Sequence, residues 1–325
     1  LHHIHRLRKK VHTSRLIYIN FENDRLFPFT LEKAQQIIET YYEVYPENKS
    51  EKVYFFFDEI QNIPEWHLFI RRLYDTENCY LFLTGSSSRM LSREIATSLR
   101  GRTITYELFP LSFPEFAGWS GLTTAPGYTS KQRAELVHAF HRYMNLSALP
   151  ELFGEQDLNV QQSVLHEYIN MIIFRDLIER HGLTQHALIK LFIRFLTLNI
   201  SNPVSINKQF NDYKSQGLQL SKNTLYELLS YLEESYIFYT AGVLTENIRE
   251  QQRNPKKVYI VDPALKNLMD YRADQGRILE NLVYLKLRQN YRDIRYVKRK
   301  QEVDFVYEEE GRPRLVNVTY NLSEP

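Results

Sequence analysis

The feature that most constrains this sequence is a run of five large apolar residues, Val53 to Phe57 (VYFFF), that ends in two adjacent carboxylates, Asp58 and Glu59. A strand with one solvated face alternates apolar and polar residues, whereas a strand covered by helices on both faces is apolar at successive positions. The run therefore predicts a strand inside a parallel sheet. The two acids would lie at its carboxyl end, which is the edge where ligands bind in open α/β sheets.

Further apolar segments of the first third alternate with helical patterns, as is typical of a parallel sheet with crossover helices. The strands are predicted at Arg15 to Phe21, Tyr80 to Leu83 and Thr103 to Phe109. The helices between them are predicted from Leu31 to Val44, with Thr30 as N-cap, and from Pro64 to Tyr74. The expected fold class is therefore α/β.

The remainder of the chain is predicted to be helical first and mixed later. Helices are predicted at Phe113 to Trp119, Lys131 to Tyr143, Val160 to His181, Leu188 to Leu198, from Ser205 onward, and Lys222 to Glu234. Strands follow at Ile237 to Leu244 and Lys257 to Val261. Three helices and then a two-stranded hairpin outline a winged helix. After Gln275 we expect a helix to Asn290 and strands at Ile294 to Val297, Val303 to Tyr307 and Arg314 to Val318.

Composition narrows the class of protein. A chain of 325 residues is long enough for two or three domains. No apolar run approaches the length of about 18 residues that a membrane helix needs, and Cys79 is the only cysteine, so a cytoplasmic protein without disulfides is expected. The net charge of +2 is too small to indicate nucleic-acid binding by itself, so a basic patch would have to be local. His2, His3, His5 and His12 are interpreted as solvated helix surface.

The residues after the two buried strands suggest nucleotide chemistry. Asp58 could hold the Mg²⁺ that bridges phosphates, and Glu59 could orient the attacking water. The next strand ends in Thr84-Gly85-Ser86-Ser87-Ser88, which would place hydroxyls beside these acids if the two strands are neighbours. The alternative is that both are ordinary turns after buried strands.

Four segments together resemble AAA+ ATPases of the prokaryotic kind that carry a winged helix and a nuclease-like C-terminal domain. They are Asp58-Glu59-Ile60-Gln61, the Thr84 to Ser87 turn, Gly101-Arg102, and Pro110 to Phe116 (PLSFPEF). The resemblance implies a Walker B pair at Asp58 and Glu59, with ATP and Mg²⁺ as ligands. It implies sensor residues at Thr84 and Ser86, and an arginine finger at Arg102 or, second, Arg100. We expect the acids, the turn and the arginine to converge on one edge, although either arginine could also be a surface cation.

The sequence departs from that family at its start. The phosphate-binding loop Gly-x-x-x-x-Gly-Lys-Ser/Thr does not occur in these 325 residues. In the family the loop precedes a helix whose tail Leu1 to Val11 resembles, and its strand would lie between Thr103 to Phe109 and Tyr80 to Leu83. We therefore expect a sequence cut at both ends, and ATP hydrolysis only in a longer parent protein.

The predicted winged helix offers candidate nucleic-acid contacts. Lys222, Asn223, Thr224 and Tyr226 begin its third helix, where a DNA reader would contact bases or phosphates, and the hairpin adds Arg249, Arg253, Lys256 and Lys257. Glu246 and Glu250 dilute this charge. The domain could equally pack against the ATPase or another protein.

The C-terminal segment resembles the restriction-endonuclease-like fold. Glu280 and Asp304 match two acids of that family, whereas Asn317 and Thr319 stand where its Glu and Lys would be. The resemblance implies a nuclease-like scaffold that does not cut, and the alternative is two ordinary surface acids.

The predicted domains are an incomplete AAA+ core at 1–118, a helical connector at 119–186, a winged helix at 187–272 and an incomplete nuclease-like domain at 273–325. The leading hypothesis is an ATP-driven switch, with a homo-oligomer or a protein partner as options. The second hypothesis is a non-catalytic nucleic-acid-binding module that binds DNA. Active DNA cleavage ranks third.

Overall fold

The computed structural model describes the chain except for residues 87–101, 156, 180, 246, 248–249, 251–253, 270–273, 299–301 and 322–325. The chain divides into two compact units, residues 1–106 and residues 107–325. Each unit has its own hydrophobic core. Among the described residues, no helix is both long and apolar enough to cross a membrane.

The first unit is built on a three-stranded parallel sheet. Its elements in chain order are α1 (His2–Leu7), β1 (Leu16–Asn20), α2 (Leu31–Val44), β2 (Val53–Asp58), α3 (Trp66–Thr76) and β3 (Cys79–Leu83). The strand order is β1-β2-β3, so β2 is the inner strand, as its apolar run predicts. Val53, Phe55 and Phe57 are almost completely buried. The α/β class with a parallel sheet is confirmed.

Local sequence explains where the helices of this unit begin. Thr30 is the N-cap of α2, since its hydroxyl accepts a hydrogen bond from the amide of Lys33 at 3.2 Å. The helix predicted from Pro64 begins instead at Trp66, because Glu65 adopts a left-handed conformation with φ 52° that a helix cannot contain. Along α3 the buried residues follow helical spacing at Trp66, Phe69, Ile70 and Leu73.

The strand predicted from Thr103 to Phe109 is wrong, because no strand forms there. Its apolar residues alternate as a strand would, yet Ile104 and Tyr106 are each 81% exposed. A strand needs a neighbour for its backbone hydrogen bonds. In the described part of residues 1–106, β3 pairs with β2 alone, so its outer edge offers no strand against which this segment could be placed.

The second unit is mainly helical in its first half. Its helices are α4 (Phe113–Trp119), α5 (Ser130–Asn145), α6 (Leu158–Met171) continued by a π-helical stretch (Ile172–Glu179), α7 (His186–Leu198), α8 (Ile206–Ser215), α9 (Lys222–Glu234), α10 (Ala264–Met269) and α11 (Gln275–Arg288). Ser221 caps α9 through the amide of Thr224, and the leucines of α9 enter the core as predicted. Gly182, with φ 62°, ends the helix before α7.

A six-stranded sheet occupies the rest of the unit. Its strands are β4 (Pro203–Val204), β5 (Phe238–Val243), β6 (Lys256–Ile260), β7 (Arg295–Lys298), β8 (Glu302–Glu309) and β9 (Arg312–Val316), in the order β4-β6-β5-β7-β8-β9. The strand β5 pairs antiparallel with β6 and parallel with β7. One sheet therefore continues across residue 272. The four-domain division, with boundaries at 118, 186 and 272, stays a prediction.

Candidate functional site

The carboxyl ends of β2 and β3 bring Asp58 and Thr84 together. Phe57 pairs with Leu83 in the parallel register, so the next residues, Asp58 and Thr84, lie side by side. The Thr84 hydroxyl donates a hydrogen bond to Oδ1 of Asp58 and accepts one from the amide of Glu59 at 3.3 Å. Backbone bonds from Thr84 to Phe57 and from Ile60 to Thr84 hold the two tips in place. The strands β2 and β3 are therefore neighbours, which was the condition for placing hydroxyls beside the acids.

Tyr18 of β1 completes this cluster, and sequence reasoning missed it. Its hydroxyl donates a hydrogen bond to Oδ2 of Asp58 at 2.6 Å. That bond raises the pKa of Tyr18 to about 12, with burial and the charge of Asp58 acting in the same direction. The contact follows from the strand register, which the structure supplies. Tyr18 pairs with Phe56, and Asp58 projects from the same face of the sheet two residues after Phe56.

Glu59 and Ser86 are joined by Gln61, to which the sequence analysis gave no role. The Gln61 amide nitrogen donates to Oε2 of Glu59 at 2.5 Å and to the Ser86 hydroxyl at 3.4 Å. Glu59 itself has φ 52°, a left-handed conformation that costs a non-glycine residue roughly 1–2 kcal/mol. Such conformations persist where the surroundings hold them, and they are enriched at functional sites.

Arg102 does not join the cluster within this chain, so it does not converge on this edge as expected. Its guanidinium donates to Asp75 at 3.1 Å and lies over the ring of Tyr74. Asp75 is in the last turn of α3, just before β3 begins, and therefore lies toward the amino ends of the strands. The exposed guanidinium pairs with the carboxylate nearest in space. The second candidate, Arg100, lies outside the described residues.

The oxygen groups at this edge suit Mg²⁺ that arrives with phosphates. Mg²⁺ prefers oxygen ligands and is usually held by one or two carboxylates, with water and phosphate completing its shell. Asp58 supplies a carboxylate, and Thr84 and Ser86 supply hydroxyls. No group of three or more His, Cys, Asp or Glu side chains able to hold a metal ion by itself occurs among the described residues. His3 of the N-terminal histidines packs its ring on Phe56 and Phe82.

A second group of charges lies on the six-stranded sheet. The Lys257 side chain is only 3% exposed, and its Nζ lies 3.1 Å from Glu280, 2.8 Å from Asp304 and 3.4 Å from Glu302. The prediction that Lys257 contacts nucleic acid is therefore wrong. The cause is that β6 is buried almost throughout, so its lysine turns toward carboxylates of α11 and β8.

Backbone and aromatic groups fix this second cluster. The hydroxyl of Tyr259 donates to Oε1 of Glu280 at 3.0 Å, and the amide of Val318 donates to Oδ2 of Asp304 at 2.9 Å. The side-chain oxygen of Asn317 accepts a hydrogen bond from the backbone amide of Asp304 at 3.1 Å. Burial lowers the pKa of Lys257, but the hydrogen bond to Asp304 and the charge of Glu280 outweigh it and leave the pKa raised. Burial raises the pKa of Glu280, although Lys257 opposes it.

These residues do not fit a nuclease metal ion. Mg²⁺ would have to bind the carboxylate oxygens of Glu280 and Asp304 at about 2.1 Å. The same oxygens, Oε1 of Glu280 and Oδ1 of Asp304, already accept hydrogen bonds from the ammonium of Lys257. Asn317 lies where the nuclease resemblance places a glutamate. Its side-chain oxygen accepts a hydrogen bond from the backbone amide of Asp304.

The remaining nucleic-acid candidates lie around α9 and β6. Lys222 and Asn223 are exposed at the start of α9, and Lys256 is half-buried at the start of β6. A cavity of about 340 Å³ separates these elements, lined in part by Asn207, Tyr226, Asn254 and Lys256. Arg249 and Arg253 lie outside the described residues.

Two segments of the chain match known domain families. Residues 2–117 match the AAA domain family, and residues 137–275 match a domain of unknown function, DUF8612. The AAA match covers the part of the chain that carries the parallel sheet and its acidic edge.

Two curated proteins match nearly the whole of this chain. It is 34% identical over 313 residues to the uncharacterized protein MJ1544 of Methanocaldococcus jannaschii, a match that covers 95% of this chain and 69% of that protein. The chain therefore belongs to the same family as MJ1544. An uncharacterized protein of Haemophilus influenzae is 26% identical over 313 residues, which is 95% of this chain and 75% of that protein. The Walker-type ATPase PABY2304 of Pyrococcus abyssi aligns with a TM-score of 0.49 and 15% identity, over 81% of this chain and 85% of that one.

Proposed function

We propose that this protein is an ATP-driven switch that binds ATP and Mg²⁺ at the carboxyl edge of its parallel sheet. The observation that carries the proposal is the cluster in which Asp58 accepts hydrogen bonds from Thr84 and Tyr18, one residue from Glu59. An acid at a strand tip can hold Mg²⁺, and its neighbour can orient water for attack on the terminal phosphate.

In this proposal each group at the edge has one task. Asp58 holds the metal ion, directly or through water. Glu59 orients or polarises the attacking water, and Gln61 positions Glu59 and Ser86 relative to each other. Thr84 and Ser86 would respond to the terminal phosphate. The chemistry that Mg²⁺ supplies is neutralisation of the charge that develops on the phosphoryl oxygens.

In this proposal the arginine finger comes from another copy of the protein. Arg102 pairs with Asp75 away from Asp58, so within one chain it cannot reach the proposed phosphate position without leaving that partner. Arginine fingers act in trans in many nucleotide hydrolases. We therefore include a homo-oligomer in the proposal, with Arg102 or Arg100 of one copy serving its neighbour.

Tight nucleotide binding requires a phosphate loop in addition to this edge. Backbone amides of the Gly-x-x-x-x-Gly-Lys-Ser/Thr loop cradle the phosphates and its lysine offsets their charge, but the 325 residues contain no such sequence. We assign the loop to a longer form of the protein, on a strand paired with the outer edge of β3. The alternating residues from Thr103 to Phe109, of which Ile104 and Tyr106 are exposed, would then pair with that strand.

The test compares ATP hydrolysis by a form extended upstream of Leu1 to include such a loop with its Glu59→Gln variant. Loss of the water-orienting acid should lower the rate about 100-fold or more, because a positioned acid or base contributes 10²–10⁴ in rate. ATP affinity should stay within about threefold, because Glu59 is not proposed to bind the phosphates. Glu43→Gln, an exposed glutamate of α2, is the matched control.

Equal hydrolysis rates for the extended protein and its Glu59→Gln variant would contradict the proposed role of Glu59. The 325-residue chain gives an independent check, since Mg²⁺–ATP titrated into it calorimetrically should bind only in the millimolar range or more weakly. Micromolar binding by this chain would show that another part of the molecule holds the nucleotide.

A second candidate function is DNA binding by the second unit. It is favoured by the arrangement of three helices and an antiparallel strand pair, α7 to β6, with Lys222 and Asn223 exposed at the start of α9. This arrangement has the outline of a winged helix, and Lys256 and Tyr226 line the adjoining cavity. Together with the nuclease-like segment that holds Glu280 and Asp304, it would form a non-catalytic DNA-binding module.

Fluorescence anisotropy with a labelled duplex tests this candidate. Affinity should fall with salt, and Lys222→Ala and Lys256→Ala should each weaken binding and reduce the slope of log affinity against log salt by about one. Lys131→Ala, at an 87% exposed lysine of α5, should leave the slope unchanged. Identical slopes for all variants would exclude these lysines from a DNA interface.

A further inference from the structure

We propose that the ammonium of Lys257 is a built-in cation that takes the place of a divalent metal ion between Glu280 and Asp304, and that this cluster is therefore closed to Mg²⁺. The cluster belongs to the second unit and shares no residue with the proposed nucleotide site, which belongs to the first.

The hydrogen-bonding capacity of the ammonium is matched by its surroundings. A lysine ammonium has three N–H donors and no acceptor. The Nζ of Lys257 has three carboxylate neighbours, Asp304 at 2.8 Å, Glu280 at 3.1 Å and Glu302 at 3.4 Å. Each donor can therefore face one carboxylate.

The shared oxygens exclude a second cation at the same place. The oxygen atoms that a metal ion would bind, Oε1 of Glu280 and Oδ1 of Asp304, are those nearest the ammonium. A metal ion bound to both oxygens at about 2.1 Å would lie no more than about 5 Å from the Nζ atom. Two cations at that separation repel strongly in a low-dielectric environment. The side chain of Lys257 is 3% exposed and cannot simply withdraw to water.

Uncharged groups around the cluster also hold it in place. Tyr259 donates to the oxygen of Glu280 that Lys257 uses, and the amide of Val318 donates to the other oxygen of Asp304. The ring of Tyr296 lies 5.6 Å from the Lys257 Nζ. These contacts fix both acids and the ammonium on three elements, β6, α11 and β8. Neutralisation of the acids by a fixed side chain needs no soluble ion.

The opposing assignment is that Lys257 serves as the lysine of an active, metal-dependent nuclease. In that case the acids would have to hold a metal ion while the lysine stood beside it. The direct contacts from Nζ to both acids disfavour this assignment, and the two assignments predict opposite responses to divalent ions.

Mn²⁺ binding, followed by electron paramagnetic resonance and by thermal unfolding, separates them. The unaltered chain should show no saturable Mn²⁺ site that depends on Asp304, and its melting temperature should not change with millimolar Mn²⁺. Lys257→Met removes the ammonium and leaves two fixed acids, so it should gain a saturable Mn²⁺ site with an affinity at least tenfold above any Mn²⁺ binding by the unaltered chain. Its melting temperature should rise with Mn²⁺. Lys257→Met with Asp304→Asn should lose that gain.

Two further variants keep the test decisive. Lys286→Met, at an exposed lysine of α11, should behave as the unaltered chain and controls for the lysine-to-methionine change. If Lys257→Met fails to fold, Lys257→Met with Glu302→Gln carries one negative charge less and keeps Glu280 and Asp304 for the metal ion. Its Mn²⁺ site should appear in the same way.

Three results would overturn the proposal. They are an Asp304-dependent Mn²⁺ site in the unaltered chain, a folded Lys257→Met or Lys257→Met/Glu302→Gln protein without a new Mn²⁺ site, and Mg²⁺-dependent nicking of plasmid DNA by the unaltered chain that Asp304→Ala abolishes.

Discussion

Replacement of Asp262 should destabilise the second unit more than any surface substitution. The side chain is 1% exposed, and its two oxygens accept three hydrogen bonds. Oδ2 accepts from the Ser147 hydroxyl at 2.6 Å and from the Ala148 amide at 2.9 Å, and Oδ1 accepts from the Ala264 amide at 2.9 Å. The carboxylate therefore ties the segment before α6 to the start of α10. Burial raises its pKa while the three hydrogen bonds oppose that shift.

The size of the effect follows from the donors that lose their acceptor. Asp262→Ala leaves two backbone amides and one hydroxyl without a partner, at about 1–3 kcal/mol for each group that stays buried. Release of the buried charge and rotation of the Ser147 hydroxyl offset part of this cost. We expect a net loss of about 3–5 kcal/mol, toward the low end of the sum over these three groups. That is a large share of the 5–15 kcal/mol that typically stabilises a domain.

Asp262→Asn should cost less, about 1–3 kcal/mol. Its carbonyl oxygen can still accept from Ala264, and the Ser147 hydroxyl can turn to accept from the new amide nitrogen. The Ala148 amide alone then faces a donor. The matched control is Asp293→Asn, whose side chain is 73% exposed and pairs with Arg295, and which should change stability by no more than about 1 kcal/mol.

Urea denaturation measures the three variants in a Trp66→Phe background. Trp66 lies in the first unit, so Trp119 is then the single tryptophan and its fluorescence reports the second unit. The expected order of destabilisation is Asp262→Ala, then Asp262→Asn, then Asp293→Asn. A loss below about 1 kcal/mol for Asp262→Ala, or equal losses for the first two, would refute the reasoning from orphaned donors.

Three further predictions rest on other contacts. Ser112→Ala removes the hydroxyl that donates to Glu115 at 2.6 Å and should cost about 0.5–2 kcal/mol at neutral pH. Because this hydrogen bond lowers the pKa of Glu115 below 4.5, the cost should be present above that pH and shrink as pH falls through the folded-state pKa in urea titrations. In ¹³C-tyrosine NMR the Tyr18 ring should titrate near pH 12, and Asp58→Asn should move that midpoint toward 10; an unchanged midpoint would contradict the hydrogen bond. Phe192→Ala, at a side chain with no exposed surface in α7, should destabilise the second unit by about 3–5 kcal/mol in urea denaturation, and a loss under 1 kcal/mol would contradict its core position.

Elements whose formation depends on residues close in sequence were predicted correctly. The five apolar residues from Val53 require two covered faces, and β2 is an inner strand. Thr30 and Ser221 each cap the helix that follows, because the side-chain hydroxyl accepts a hydrogen bond from the backbone amide three residues later. In each case the physical cause acts within a few residues, so the sequence carries it directly.

Contacts and elements that depend on partners distant in sequence were predicted less well. Lys257 looked like a cation of an exposed hairpin, but its partners, Glu280 and Asp304, are 23 and 47 residues away. Arg102 met Asp75 on a helix that the sequence does not associate with it. The alternating segment after Arg102 has the composition of a strand, yet a strand also needs a neighbour, and composition does not reveal whether one is present.

The position of β5 determines how this protein can be divided in the laboratory. Because β5 bonds to β6 on one side and to β7 on the other, a cut at residue 272 would remove β7 and expose the backbone groups of Gly242 and Val243 along an unprotected edge. Bare strand edges recruit other chains and promote aggregation. The same cut would strip Lys257 of all three of its carboxylates. A piece that begins at residue 107 and runs to the C-terminus keeps these strands and charges together, and is the sensible unit to express alone.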